Sequence, residues 1–282
     1  MRRQASSERD VYADLHTHTR CSDGECSPET LIERAAERGL QVVAVTDHDT
    51  IEGIAPAAAA AESQGVHLVP GIELSVTLDG DEIHLLAYGI DPGHAGLRQH
   101  LAAMQEARRE RASMIVERLR DHGVEIEDEQ LRADIASVHA VGRPHVAAAL
   151  VRGGHVRTER AAFEQYLGEG KPGYVAKPAF PAADALSLVH EAGGVGVLAH
   201  PGHWTSSTQV RRLADAGLDG LETRHPSHDA SLRGYYERLA QGYDLLTTGG
   251  SDYHGRTRKE DERFGTMGMT CAEWERFRAA LP

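Results

Sequence analysis

Short apolar runs that end at or near a histidine, aspartate or glutamate recur along this chain, and a helical pattern separates most of them. The runs fall at residues 11–15, 41–46, 67–74, 82–90, 195–199, 218–222 and 245–248. Helical periodicity fills 28–39, 51–63 (interrupted near Pro56), 182–192, 207–216 and 230–241. The middle of the 41–46 run is continuously apolar, as in a parallel strand covered on both faces. Strands alternating with helices predict an α/β fold, here a parallel barrel with some irregularity. Such a barrel brings the C-terminal ends of its strands to one face, so the side chains at those ends carry the functional signal.

The rhythm breaks between 93 and 174, where residues 97–122 read as one long, highly charged helix and further helical segments follow. The expected organisation is a barrel built from 1–92 and 175–282, interrupted by a helical subdomain at 93–174; a chain of 282 residues accommodates both. A net charge of −13 argues against broad binding to duplex nucleic acid, which needs a basic surface. It leaves room for a small anionic substrate beside metal ions. The three cysteines form no CxxC pair, and residues 1–10 contain no apolar core of a signal peptide. No apolar stretch reaches the ~18 residues of a membrane span. A reduced, cytoplasmic protein without membrane contact is expected.

Among the 17 histidines, His16 and His18 stand two residues apart at the end of the first run. In extended backbone they project to the same side and can share a metal ion. Asp23, His48, Glu73, His84, His200, Asp252 and His254 follow, most of them at or just after a strand end. Core packing does not explain so many metal-ligating side chains at equivalent positions. The donors are nitrogen and oxygen, which points to Mn²⁺, Fe²⁺ or Zn²⁺ in a catalytic site rather than a thiolate structural site. The set exceeds what one ion needs, so two or three divalent ions are expected, with Glu73 as a candidate bridge. Paired ions of this kind typically hydrolyse phosphate esters.

The His-Thr-His at 16–18, Asp-His-Asp at 47–49, Gly-Ile-Glu at 71–73, Ala-His-Pro at 199–201 and Ser-Asp-Tyr-His at 251–254 resemble the successive motifs of the PHP (polymerase and histidinol phosphatase) superfamily. That resemblance covers nearly the whole chain. It implies a distorted seven-stranded (β/α) barrel with a trinuclear metal site and phosphoesterase activity. The helical insert and its Gly-Arg-Pro-His at 142–145 resemble a bacterial branch that removes the 3′-phosphate from 3′,5′-nucleoside bisphosphates. Some members of that branch also trim RNA from its 5′ end. Carried over by position, His16, His18, Glu73 and Asp252 would serve one ion, Asp23, His48 and His254 a second, and Glu73, His84 and His200 a third. A metal-bridging hydroxide held through Glu73, Asp252 and His200 would be the nucleophile, and manganese is the metal expected first.

The remaining residues carry weaker signals. Arg143 and His145 are candidate substrate contacts, since a guanidinium fork suits phosphate; a surface salt bridge is the plain alternative. Arg108 and Arg111 on the long helix, and His225 after the sixth run, are further candidates for the cleft, with His225 or His228 able to protonate a leaving oxygen. Asp47 and Asp49 are expected behind the ligands, Asp47 orienting a histidine and Asp49 there or capping the next helix. Trp204 can stack on a base or pack in its loop, and Cys21 and Cys26 read as small loop residues. The expected substrate is a small nucleotide or a short RNA 5′ end; no protein partner is implied, and no oligomeric state follows. Histidinol-phosphate phosphatase, a nuclease acting on DNA, and a non-catalytic metal- or nucleotide-binding module are the rival readings.

Overall fold

A computed structural model describes residues 11–137 and 141–282. Seven strands form one sheet in chain order: β1 (Ala13–Asp14), β2 (Val42–Val45), β3 (His67–Leu78), β4 (Asp81–Tyr88), β5 (Val195–Leu198), β6 (Gly220–Arg224) and β7 (Leu246–Gly249). The Leu15 N–H donates to the Gly249 carbonyl at 3.3 Å and the His18 N–H to the Tyr253 carbonyl at 2.9 Å. The two sheet edges therefore meet, and the sheet curls into a nearly closed barrel.

β1, β2 and β3 run parallel, as do β5, β6 and β7, but β4 is antiparallel to both its neighbours. This reversal is the irregularity in the expected parallel barrel, and its cause is local. Only Asp79 and Gly80 connect β3 to β4, both at positive φ (57° and 93°). Two such residues form a tight hairpin turn, whereas a parallel crossover needs a dozen or more. His84 thus lies in the first half of a downward strand, opposite Ser75, on the rim where the parallel strands end.

Helices α1 (Pro28–Glu37) and α2 (Ile54–Gln64) cover β2 on the outside. Ser27 caps α1 by accepting from the Thr30 N–H, and Pro28 occupies a first-turn position where no N–H is needed. α2 starts at Ile54 rather than 51, so Pro56 falls in its first turn and does not interrupt it. Val43 and Val45 face these helices, while Val42 and Ala44 face inward with Leu15, Val69, Leu86 and Val197. Burial on both sides is why this run is apolar without alternation.

Between β4 and β5 lie α3 (Ala95–Asp121), α4 (Glu129–Ser137), α5 (Arg143–Arg152), α6 (Glu159–Ala162) and a π-helical turn at Phe163–Leu167. Ile115 and Leu119 of α3 join Val146, Leu150 and Leu167 in a core of their own. Leu97 and Leu101 of the same helix pack instead in the barrel's outer core. α3 therefore belongs to both bodies, and a boundary after residue 92 separates its first turns from the barrel they stand on. α7 (Ala182–Glu191), α8 (Ser207–Asp215) and α9 (Ala230–Gly242) complete the outer layer. After the short α10 (Arg258–Arg263), α11 (Cys271–Arg278) packs Trp274 and Phe277 into the inward-facing core, with Phe277 edge-on to Tyr88 at 5.3 Å between ring centres. No described helix is long and apolar enough to cross a membrane.

Candidate metal centre

The upper rim gathers all nine side chains singled out as ligands. They form four overlapping groups: His18, Asp23, His48 and His254; His16, His18 and Asp252; His16, Glu73 and His200; and His48, Glu73 and His84. Within each group the donor atoms lie within 4.8 Å of one another. Glu73 is the hub. Its Oε1 stands 2.9 Å from His84 Nδ1 and 2.9 Å from His200 Nε2; its Oε2 stands 3.1 Å from His48 Nδ1 and 3.3 Å from His18 Nε2. Asp252 Oδ1 lies 3.2 Å from His18 Nε2, and Asp23 Oδ1 lies 3.2 Å from His254 Nε2. The groups differ from the expected sets: His16, His18 and His48 each fall in two groups, and His84 and His200 share Glu73 but fall in separate groups.

These residues fit divalent ions on chemical grounds. His16 Nε2, both ring nitrogens of His18, Asp23 Oδ1, His48 Nδ1 and Glu73 Oε2 are buried without a hydrogen-bond partner. Orphaned buried polar atoms are costly, and here they all face one another. Burial pushes the Asp23, Glu73 and Asp252 carboxyls up, but the surrounding imidazoles outweigh it and hold all three well below the usual carboxylate range. Burial pulls His84 and His254 down, yet their carboxylate neighbours raise both to about 9. His48, where burial dominates, falls to about 3 and is a neutral donor. The carboxylates thus demand positive charge that protons or metal ions can supply, in competition.

Backbone conformation places several of these side chains at some cost. His200 and Asp252 both adopt positive φ (26° and 51°), uncommon for residues with a side chain. Gly250, just before the Ser-Asp-Tyr-His motif, touches His16 so closely that an added Cβ would lie 2.3 Å from the His16 Cβ.

Behind the ligands, Glu222 on β6 is fully buried and uses both oxygens. Its Oε1 meets His16 Nδ1 at 3.0 Å and its Oε2 accepts from the His200 N–H at 2.7 Å. This residue was not anticipated, although the 218–222 run ends on it. Asp14 Oδ1 accepts from the Ser251 N–H at 2.9 Å and the His16 N–H at 3.3 Å, tying β1 to the loop after β7. His225, a candidate substrate contact, sits against the candidate ligand Asp252, its Nε2 3.2 Å from Oδ2.

Two expectations need correction. Asp47 contacts no histidine ring by hydrogen bond; it accepts from Thr19 N–H, Thr19 hydroxyl and Ser22 hydroxyl, and so holds the loop that carries Asp23. Asp49 does not cap α2, whose N-cap is Gly53 with no side-chain bond. It accepts instead from the Ser75 N–H at 2.7 Å and from Arg108, whose Nε is 2.9 Å away. Asp49 and Arg108 are both buried, so Arg108 is held in an ion pair at the edge of the cleft. His145 takes up a structural bond as well: its Nδ1 accepts from the Gly142 N–H at 3.2 Å, at the start of α5.

A cleft of about 140 Å³ opens over the ligands His48 and His84, lined by Arg108, Arg111, Arg143, His145, Phe163 and Lys177 among others. Arg111 donates to the Val175 carbonyl at 2.7 Å. Arg143, at the first turn of α5, stands 3.7 Å from Glu82 and 5.8 Å over the Phe163 ring. Lys177, which was not anticipated, bridges Glu82 and the Ser75 hydroxyl. Four cations, Arg108, Arg111, Arg143 and Lys177, line this cleft beside the carboxylates Asp23 and Glu82, with Arg108 paired to Asp49 behind it.

The family model for the PHP domain matches residues 14–166. Over 252 residues the chain is 36% identical to the 5′-3′ exoribonuclease Rnm of Salmonella typhimurium, covering 86% of this chain and 85% of that protein. It is 35% identical to the 3′,5′-nucleoside bisphosphate phosphatase of Chromobacterium violaceum, covering 86% of each. A crystal structure from Bifidobacterium adolescentis, of a protein inferred to be a metal-dependent phosphoesterase, superposes with a TM-score of 0.88 at 31% identity, over 96% of this chain and 97% of that one.

Proposed function

The chain belongs to the PHP-domain family, and from that premise we propose that it removes the 3′-phosphate from 3′,5′-nucleoside bisphosphates and shortens RNA from the 5′ end at the same site. The observation that carries this reading is the pairing of two charge centres. The histidine–carboxylate cluster fits divalent ions, and four cations, Arg108, Arg111, Arg143 and Lys177, line the cleft directly over it. A monophosphate needs only the first centre; a substrate with a second phosphate needs both.

Bound divalent ions supply Lewis-acid charge and activate water near neutral pH. The chain's own residues do the rest. Glu73 presents one oxygen to His84 and His200 and the other to His16, His18 and His48, so one carboxylate could be shared by two ions when they are bound. Glu222 fixes the His16 ring and the His200 backbone, and His225 fixes Asp252. Arg143, Arg111 and Lys177 receive the 5′-phosphate, while Arg108 is committed to Asp49 and sets the edge of the cleft. Histidinol phosphate carries an ammonium group, which this cationic cleft repels. We take manganese as the metal, with Fe²⁺ and Zn²⁺ as alternatives that the same nitrogen and oxygen donors accept. The three free cysteines suit a cytoplasmic protein.

The test is release of inorganic phosphate from adenosine 3′,5′-bisphosphate with Mn²⁺, run beside histidinol phosphate and a 5′-phosphorylated RNA oligomer. The bisphosphate should be the best of the small substrates, and the oligomer should yield nucleoside 5′-monophosphates. No phosphate from the bisphosphate, with the fold intact and metal bound, refutes the substrate. Equal rates on histidinol phosphate refute the role given to the cationic cleft.

A further inference from the structure

Among the described residues the exposed large apolar side chains are Met114, Trp204 and Tyr243, and Trp204 is 66% exposed. Trp204 lies four positions after the ligand His200, in the loop between β5 and α8. It lines a cleft of about 750 Å³ that shares Glu82, His84, Arg143 and Lys177 with the smaller cleft over the ligands, and that also takes in His200, Tyr174 and Pro178. That volume falls within the ~300–1,000 Å³ of small-molecule sites.

The loop that carries the indole is held from several sides. The Thr205 N–H donates to the Pro201 carbonyl at 3.2 Å, closing a turn. The Tyr236 hydroxyl, from α9, donates to the Gly202 carbonyl at 2.7 Å and lies 3.1 Å from the Thr205 carbonyl. The Gly202 N–H donates to His228 Nε2 at 3.1 Å. Gly202 has φ 57°, and an added Cβ there would lie 2.4 Å from the Trp204 ring, so the ring rests on the glycine backbone. A large aromatic side chain kept on a fixed support and left open to solvent contributes little to stability. At the mouth of a charged site it offers what the arginines and ligands lack, a flat apolar face.

We propose that Trp204 is the stacking platform for the nucleobase, so that the nucleoside lies along the larger cleft with its 3′-phosphate at the ligand cluster and its 5′-phosphate by Arg143 and Lys177. This rests on the nucleotide reading of the site given above. It adds a residue that selects nucleotides over base-free sugar phosphates. Stacking on an indole face reads ring area more than base identity, as in sequence-tolerant single-strand binding.

The test uses the full-length, metal-loaded chain and the product nucleotide, adenosine 5′-monophosphate, with ribose 5-phosphate as the base-free probe. The chain has two tryptophans, and Trp274 is buried, so an accessible-indole fluorescence change reports Trp204. The monophosphate should quench this emission and ribose 5-phosphate should not. In Trp204→Ala the affinity for the monophosphate, measured by equilibrium dialysis, should fall about ten-fold, within what base–aromatic stacking supplies. The affinity for ribose 5-phosphate should match the wild type, and Trp204→Phe should recover much of the loss. Wild-type affinity for the monophosphate in Trp204→Ala overturns the proposal, as does an equal loss for both probes. If wild-type protein shows the quench but releases no phosphate from adenosine 3′,5′-bisphosphate, the platform stands and the bisphosphate reading fails; turnover without any quench has the reverse meaning.

Discussion

Glu222 offers the sharpest test of the metal centre, because it acts from behind the ligands. Both of its oxygens accept, one from the His16 ring at 3.0 Å and one from the His200 N–H at 2.7 Å, with the side chain fully buried. Glu222→Gln keeps the shape but has one acceptor oxygen. Its amide nitrogen must then face either His16 Nδ1–H or the His200 N–H, donor against donor. A hydrogen bond to a charged group contributes roughly 1.5–3 kcal/mol. At ~1.4 kcal/mol per factor of ten, losing one such bond lowers affinity for an ion held through His16 or His200 about 10–100-fold. Removing second-layer partners of ligand histidines costs the same order. Glu222→Ala loses both acceptors and should fall further. Equilibrium dialysis against Mn²⁺ with metal analysis measures the effect, and circular dichroism checks the fold. Wild-type Mn²⁺ retention in Glu222→Gln would refute the claim that this carboxylate orients the centre.

Asp49→Ala strands the buried Arg108 guanidinium and should cost about 3–5 kcal/mol of stability in urea unfolding, the usual loss when one partner of a buried pair is removed. Burial pushes Asp49 up, but Arg108 and Lys177 outweigh it and hold it at about 2, below the ordinary 3.8. Its contribution, about 2 kcal/mol, is therefore complete above pH ~4 and lost as pH falls toward 2; wild type and Asp49→Asn should converge in stability over that window. Gly250→Ala should lose Mn²⁺ binding and activity while the barrel persists by circular dichroism, since the new methyl collides with His16. Chelation should abolish phosphate release and lower the melting temperature, with Mn²⁺ restoring both; ions at about 1,000 times Kd add roughly 4 kcal/mol to the folded state. Full activity after exhaustive metal removal would contradict the assignment.

Most of the nine candidate ligands were legible because they are metal-binding residue types at a strand end or in the loop after one, and a parallel barrel gathers such ends on one face; Glu73 lies mid-way along β3. His84 belongs to the same rim for a different reason, the hairpin at Asp79-Gly80 that turns β4 around. That reversal was readable in principle: two turn residues leave no room for a crossover. Glu222 sat at a strand end in plain view, but a glutamate after Leu221 without a neighbouring histidine gives no local metal motif. The pairing of Asp49 with Arg108 was beyond reach, since it joins residues 59 positions apart on two bodies, and only the docking of α3 brings them together. For the same reason Arg108 read as a substrate contact and His145 as more than the partner of its own helix start. Periodicity and spacing report which face a residue occupies; they do not report which opposite charge reaches it first.

α3 is 27 residues long, about 40 Å at 1.5 Å per residue. It begins at the foot of the barrel, passes the metal rim at Arg108 and ends inside the core of the helical insert. It acts as a strut. To swing the insert away from the metal rim as a rigid lid, the protein would have to expose Leu97 and Leu101 at one end, or Ile115 and Leu119 at the other, and separate a buried ion pair midway. The roof over the metal rim is therefore set when the chain folds. A ligand that reaches the rim enters along the walls of the clefts already present, not under a hinged lid.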